Sequence, residues 1–413
     1  MSEHATLGVL RADLRRELTR RILPYWMEQA IDDRRGGFAG LITDDGVRRD
    51  DAPKGCILNA RILWTFAAAY RVLGDDAYRR TAERAAGYFR AHFVDAVHGG
   101  VYWMVDAAGR PSDERKHVYA QAFAIYALSE HYRAVGDGES LREAVRLFRL
   151  VERRAHDTAH GGYQEAFSRD WVLLDDVRLS DADAPERKST NTHLHVLEAY
   201  TNLYRVWPDV LLRERLEELL ELFLGVIVPA GARHTCGFFD EDWAPKSEVV
   251  SYGHDIEASW LLLEAADVLG SEARRARVRD VSLRLATAVL EEGVDPAGGI
   301  FNAGGPDGVV DTDKEWWPQA EAIVGFVNAY QETGREAFLH AARTTWDFTK
   351  RHILDAERGE WHRRVAGDGT LRPGHEKVGP WKCPYHNGRA CLEMITRSQG
   401  SGVRSQERVP RLA

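Results

Sequence analysis

Three histidines stand at the starts of segments with helical periodicity, each with a polar residue about one turn away: His195 after Asn191, His254 before Glu257, and His386 before Arg389. Side chains three or four residues apart share a helix face. Asn191 therefore faces the same way as His195, Glu257 as His254, and Arg389 as His386. His193 lines up instead with Val196, Leu197 and Tyr200, an apolar face that marks it as structural. An imidazole, with an ordinary pKa of about 6.5, both takes and gives protons near neutrality. A carboxylate one turn away orients such a ring, which is the part expected of Glu257 towards His254. Placed at corresponding points of three repeats, the histidines read as a set built for proton transfer. No HExxH helix is present, and the Glu and Arg beside the rings suit hydrogen bonding better than a closed ligand shell, so no metal is expected.

Other residues fit the same pocket. Arg61 interrupts the apolar run Leu58–Tyr70 and would be costly if buried unpaired, so it is expected to face the polar interior. Trp317 shares a face with Glu321, and Trp381 lies on the approach to His386. Both tryptophans suit either core packing or stacking on a sugar ring. Cys383 sits three residues before His386, yet free cysteines are mostly buried, and packing is the expected role.

What positions these residues is a repeat. A Gly-aromatic signal recurs at Gly36-Gly37-Phe38, Gly99-Gly100-Val101-Tyr102, Gly161-Gly162-Tyr163, Gly237-Phe238-Phe239, Gly298-Gly299-Ile300-Phe301 and Gly359-Glu360-Trp361, at intervals of 63, 62, 75, 62 and 60 residues. Such a period marks a repeated supersecondary unit. Between the signals, apolar residues at i, i+3, i+4 and i+7 predict helices near 56–73, 76–93, 117–135, 138–154, 190–206, 210–227, 251–269, 272–290, 316–333, 337–352 and 384–397, after an opening helix near 5–28. The fold class is all-α: six helical hairpins with short β-hairpin loops, closed into an (α/α)6 barrel. Distinct polar capping repeats, which an open solenoid needs, are not seen. The first helix of each hairpin starts with polar or aromatic residues, so six helix N-termini would ring one end of the barrel, a setting that favours developing negative charge.

Residues 1–397 are expected to form one catalytic domain, and 398–413, which lose periodicity, a disordered tail. The long interval contains Trp171–Lys188, a segment of the length often used for lids or binding loops. With 44% hydrophobic and 29% charged residues, the composition is that of a soluble globular protein. The net charge of −9 includes no long basic run, which argues against a nucleic-acid partner. Neither an N-terminal apolar leader nor a run of about 18 apolar residues is recognised, so neither secretion nor a membrane span is expected. Cytoplasmic residence as a monomer or weak dimer is the expectation. The cysteines Cys56, Cys236, Cys383 and Cys391 show no CxxC pairing and read as reduced and mostly buried.

The polar helix starts carry a resemblance. Lys54-Gly55-Cys56-Ile57-Leu58-Asn59-Ala60-Arg61, Lys188-Ser189-Thr190-Asn191-Thr192-His193-Leu194-His195, Ser251-Tyr252-Gly253-His254-Asp255-Ile256-Glu257, Lys314-Glu315-Trp316-Trp317-Pro318-Gln319-Ala320-Glu321 and Gly379-Pro380-Trp381-Lys382-Cys383-Pro384-Tyr385-His386-Asn387-Gly388-Arg389 resemble, in order, strings of the N-acylglucosamine 2-epimerase superfamily, most closely its cellobiose 2-epimerase branch. The resemblance implies an (α/α)6 barrel and cofactor-free inversion at C2 of the reducing-end glucose unit of β-1,4-linked disaccharides such as cellobiose and lactose, through a cis-enediolate. It further implies His254 and His386 as the acid/base pair and His195 as a group polarising O1 and O2. Arg61, Tyr119 and Asn191 become contacts to the open-chain sugar, with Glu257 tuning His254, Trp317 and Trp381 holding sugar rings, and Glu321 beside them. Action on free mannose or glucose, as a 2-epimerase or an isomerase, is the nearest alternative. A glycoside hydrolase using Glu257 and Glu321 would leave the histidines without a task.

Overall fold

Glycine and aspartate punctuate the hairpins. In the computed structural model, which describes residues 3–180 and 183–397, helix α3 (Cys56–Leu73) stops at Gly74, whose φ of 75° is the left-handed conformation that glycine adopts without strain. Asp75 then caps α4 (Asp76–His92) by accepting from the Ala77 N–H at 2.9 Å. The same device separates α5 (Val118–Val135) from α6 (Gly138–Arg154), with Gly136 and Asp137. The remaining hairpins are α7 (Thr190–Val206) with α8 (Val210–Leu222), α9 (Tyr252–Leu269) with α10 (Glu272–Ala288), and α11 (Trp316–Thr333) with α12 (Glu336–Phe348). The sixth pairs α13 (Tyr385–Arg397) with the N-terminal α1 (Glu3–Glu17) and α2 (Leu23–Glu28). The expected helices are thus present, with one local difference. Five-residue π-helical turns split the opening helix at Leu18–Ile22 and close the outer helices at Phe223–Ile227, Val289–Gly293 and Thr349–Ile353.

The ring closes. Helix α3 packs on α5, α5 on α7, α7 on α9, α9 on α11, α11 on α13, and α13 on α3. Inner helices are apolar on all sides because they meet neighbours on all sides, whereas outer ones such as α6 bury only one stripe, including Ala144, Leu147, Phe148 and Val151. Contrary to the sequence expectation, α3 is long and apolar enough to cross a membrane, but 78% of it is buried inside the ring, which accounts for its composition. Short antiparallel strands join successive repeats at one end: Lys54–Gly55 with Met104–Val105, Lys116–His117 with Ala166–Phe167, Lys188–Ser189 with Phe238–Phe239, Val250–Ser251 with Ala303–Gly305, and Lys314–Glu315 with Arg364–Val365. Glu376–Val378 then pairs with Ile42–Thr43, so the last repeat hydrogen-bonds to the first.

Among the described residues, five of the six turns are fastened by an aspartate paired with a buried lysine, a feature the Gly-aromatic signal does not reveal. Asp32–Lys54, Asp95–Lys116, Asp157–Lys188, Asp295–Lys314 and Asp355–Lys377 lie at 2.9, 2.9, 2.8, 2.6 and 3.0 Å. In each, the turn aspartate binds a lysine on the short strand that leads towards the next inner helix. Glu360 holds a left-handed φ of 57° where four of the other turns have glycine, and its carboxylate accepts from Trp361 N, Lys382 and Asn387 in recompense. The fourth turn differs, and its assignment to Gly237 is corrected. Cys236 N bonds to Ile227 O as Tyr102 N does to Phe93 O, which puts His234, not a glycine, at the place of Gly100.

The expected tail at 398–413 lies outside the described residues, as do Asp181 and Ala182 of the long loop. The rest of that loop is tied down: Trp171 Nε1 donates to His98 O at 3.2 Å, and Val177 O meets His117 Nε2 at 3.0 Å. The cysteines are free, with Cys236 half-buried and the others buried.

Candidate active site

The strands end where the inner helices begin, so the first two turns of those helices line one end of the barrel. Arg61, Phe123, His195, Glu257 and Glu321 are each the sixth residue of their helix, and Arg389 is the fifth of α13. They form one layer. His254, third in α9, and His386, second in α13, belong to the layer one turn nearer the opening, with Tyr119, Asn191 and Trp317. His195 is therefore not the counterpart of the other two histidines, as the sequence suggested; Thr192 occupies that place in α7.

His254 and His386 converge on Trp317, whose ring lies 4.9 Å from one imidazole and 5.6 Å from the other. His386 Nδ1 sits 2.7 Å from Glu321 Oε1, a contact that fixes the proton on Nδ1 and leaves Nε2 as the basic nitrogen. His254 Nδ1 meets Ser251 Oγ at 2.9 Å, and the carboxylate expected there is elsewhere. Glu257 points its Oε1 to Arg389 Nη2 at 2.5 Å, so the pairing of Glu257 with His254 is corrected. A hydroxyl donates or accepts, and Ser251 permits either tautomer of His254. His195 Nδ1 is held by Glu198 Oε2 at 2.9 Å, with the edge of Tyr119 against the ring at 5.0 Å.

Arg389 is the hub. Its Nη2 reaches Glu321 Oε1 at 2.7 Å as well as Glu257, and its Nη1 bonds to Glu198 and Tyr385. One buried guanidinium thus ties the carboxylates behind His195 and His386 into a single network, and Trp260 Nε1 adds a bond to Glu321 Oε2 at 3.1 Å. Sequence spacing paired Arg389 with His386 and gave no sign of Glu198 or Tyr385. Arg61 donates to the Tyr119 hydroxyl at 2.8 Å and lies over Phe123 at 4.2 Å. Trp381 packs edge-on against Trp103 and Tyr119, both at 5.9 Å. Cys383 is buried, with Sγ 3.9 Å from Arg61 Nη1. His193 is structural, accepting from Tyr163 N at 2.9 Å and bonding Ser189 O at 2.7 Å.

Burial brings His254 down to about 4, with the nearby His195 adding to the fall. Burial, then Arg61 and Arg389, hold His386 well below the ordinary histidine range. Burial lifts Glu257 to about 7, helped by the adjacent Glu321, which is itself raised by burial. Burial pushes Glu198 upward too, but Arg389 and His195 outweigh it and leave it at about 2. His254 and His386 thus rest unprotonated at neutral pH, and Glu198 is ionised. Buried Arg61 Nε, Asn191 Oδ1 and Glu257 Oε2 lack protein partners, a pattern that fits a hydroxyl-rich ligand.

Glu257, Glu321 and His386 bring ligand atoms within 4.8 Å of one another. Both carboxylate oxygens nearest the ring already accept from Arg389, whose cation fills the role a metal would take. The same arrangement removes the hydrolase reading, since glycosidase carboxylates flank a scissile bond roughly 5–9.5 Å apart. Here both grip one Arg389 nitrogen.

The ring of hairpins, with its histidine–carboxylate pocket at one end, defines an (α/α)6-barrel enzyme. The chain belongs to the N-acylglucosamine 2-epimerase (GlcNAc 2-epimerase) family, whose pattern it matches over residues 36–390. It is 48% identical to a cellobiose 2-epimerase of Bacteroides fragilis over 94% of this chain and 99% of that one. The solved cellobiose 2-epimerase of Bacillus thermoamylovorans B4167 superposes with a TM-score of 0.91 at 41% identity, covering 94% and 100% of the two chains. A D-mannose isomerase shares the fold at a TM-score of 0.80 and 22% identity, covering 94% and 97%.

Proposed function

We propose that this enzyme is a sugar 2-epimerase that inverts C2 of the reducing-end glucose unit of β-1,4-linked disaccharides, converting it reversibly to a mannose unit. The observation that carries the reading is the pair His254 and His386, each held at Nδ1 and both against Trp317. Once the pyranose has opened, one imidazole Nε2 removes the C2 proton. The C–H electron pair forms the C1–C2 double bond, and the former carbonyl electrons move to O1, giving a cis-enediolate. After rotation about C2–C3, the second imidazole, which carries a proton on Nε2 while the sugar is bound, delivers it to the opposite face of C2, and the carbonyl at C1 is restored. The first imidazole keeps the abstracted proton, and the two rings return to their starting states by exchange with solvent after release. His195, oriented by Glu198, donates towards O1 and O2, and Arg61 adds fixed positive charge in a site shielded from water. Trp317 and Trp381 offer faces to the sugar rings. The names of the two cellobiose 2-epimerase relatives support the disaccharide as substrate.

The test is incubation with cellobiose, lactose, glucose and mannose in D2O, followed by NMR. Inversion at C2 with solvent deuterium at that carbon is expected for the disaccharides. A ketose as main product, cleavage of the glycosidic bond, or turnover of monosaccharides alone would overturn it.

A further inference from the structure

Among the described residues, the fourth turn alone lacks the Asp–Lys fastening found in the other five. Pro229 stands in the aspartate's place and Val250 in the lysine's, so both partners are absent together. The charge pair reappears with its direction reversed. The acid, Asp255, is now on the inner helix, where other repeats carry neutral residues such as Gln121, His193 and Gln319. The base, His234, is on the turn. Asp255 is fully buried and accepts from Thr235 N at 2.8 Å and Thr235 Oγ1 at 2.7 Å through Oδ1, and meets His234 Nδ1 at 2.7 Å through Oδ2. His234 Nε2 lies 2.9 Å from Glu292 Oε2. With a carboxylate at each ring nitrogen, only the imidazolium satisfies both contacts.

This joint holds the turn of α9 that carries His254. Asp255 is the next residue, Ser251 both caps the helix and binds His254 Nδ1, and the Tyr252 ring lies 6.2 Å from His234. We propose that His234 and Asp255 are positioning residues for His254, forming a protonation-dependent clasp in the one repeat that lacks the permanent Lys cation. The inference rests on the reading of His254 as a proton carrier. The charged groups around His234 are Asp255 from α9, Glu292 and Glu291 from the end of the outer helix, and its neighbour Arg233, which bonds Glu291 at 2.5 Å and Glu292 at 3.0 Å. Burial opposes the His234 charge, but the bonds to Asp255 and Glu292 prevail and raise its pKa. A raised histidine stabilises the fold below its ordinary pKa and loses that contribution as pH rises through the folded value. The clasp therefore loosens on the alkaline side, leaving Asp255 a buried anion without a cation.

The experiment compares pH profiles of kcat and KM on cellobiose for the full chain, with the His234 imidazole titration followed by NMR. Glu292 is 41% exposed, so Glu292→Gln leaves the fold intact while removing one of the two charges that favour imidazolium. It is expected to move the alkaline fall in kcat, and the NMR transition with it, to lower pH by about half a unit to one unit. His234→Gln is expected to abolish that fall and lower the plateau by roughly tenfold, with KM within twofold. An alkaline limb that stays in place in Glu292→Gln while the NMR transition moves, or that survives in His234→Gln, overturns the proposal. His254→Ala separates the two readings: turnover retained there removes His254 as proton carrier, whereas an inactive His254→Ala with an unmoved limb in Glu292→Gln overturns the clasp alone.

Discussion

Glu321 Oε1 receives two donors at equal distance, His386 Nδ1 at 2.7 Å and Arg389 Nη2 at 2.7 Å, so one carboxylate oxygen both orients the imidazole and anchors it to the buried guanidinium. The carboxylate behind His386 is thereby fixed from two sides. Glu321→Gln is expected to lower kcat by about 10- to 100-fold with KM nearly unchanged, the usual cost of losing a group that orients a functional histidine. His386→Ala should lower kcat by at least about 100-fold. Initial rates of C2 inversion by NMR check both.

Arg389 offsets Glu198, Glu257 and Glu321 from a position 1% exposed. Arg389→Met leaves those carboxylates buried without their cation and should cost about 3–5 kcal/mol of stability. Urea unfolding measures it, and a midpoint equal to that of the unaltered protein would refute the hub.

His193 does the work that Gln121 and Gln319 do in other repeats, each accepting a backbone N–H from the preceding turn at 2.9, 2.8 and 2.8 Å respectively. Burial depresses His193 to about 4. The unfolded chain then binds more protons than the folded one between its ordinary value of about 6.5 and that figure, so stability falls as pH drops through this window, by about 3 kcal/mol in full. His193→Gln is expected to fold and to show a shallower acid loss when unfolding is followed from pH 7 to pH 4.

Gly74 and Gly100 share a left-handed φ near 75°, but only Gly100 is crowded. A Cβ there would lie 2.7 Å from Trp171 Cζ2 and 2.9 Å from Gln121 Oε1, whereas none meets an atom within 4 Å at Gly74. Gly74→Ala should cost about 1 kcal/mol of backbone strain, and Gly100→Ala about 2–4 kcal/mol from strain and overlap together. Thermal unfolding of the two variants gives the contrast.

Trp381 is half-buried against Trp103 and Tyr119, on the side of the opening where Val177 anchors the long loop to His117. If it carries the second sugar ring, Trp381→Ala raises KM for cellobiose about tenfold and alters KM for free mannose less than twofold, a stacking contribution of roughly 1.4 kcal/mol.

Much of this architecture is written locally. Helix α3 ends at Gly74 and α4 begins after Asp75 because backbone conformation and capping are short-range properties, and the apolar periods of 3.6 residues delimit both helices. The repeat also predicts which helices are inner, since their polar starts must share one end. The side on which Asn191, His195, Trp317 and Glu321 fall likewise follows from helical spacing.

Contacts between helices were not legible in that way. Glu257 sits one turn from His254, yet its carboxylate turns to Arg389 on α13, because a buried acid gains more from a guanidinium than from a ring already satisfied by Ser251. Nothing in the spacing of Glu198, Glu257, Glu321 and Arg389 reveals that they meet, since 191 residues separate Arg389 from Glu198. The Gly237 signal misled for a related reason: a turn is defined by its hydrogen-bonding partners, and those of His234 lie on α9 and at the end of α10. Sequence by itself determined the repeat, the helices and the faces their side chains share. Closure of the ring decided which charges pair, because in a buried pocket the strongest available counter-charge, however distant in the chain, outweighs a neighbour one turn away.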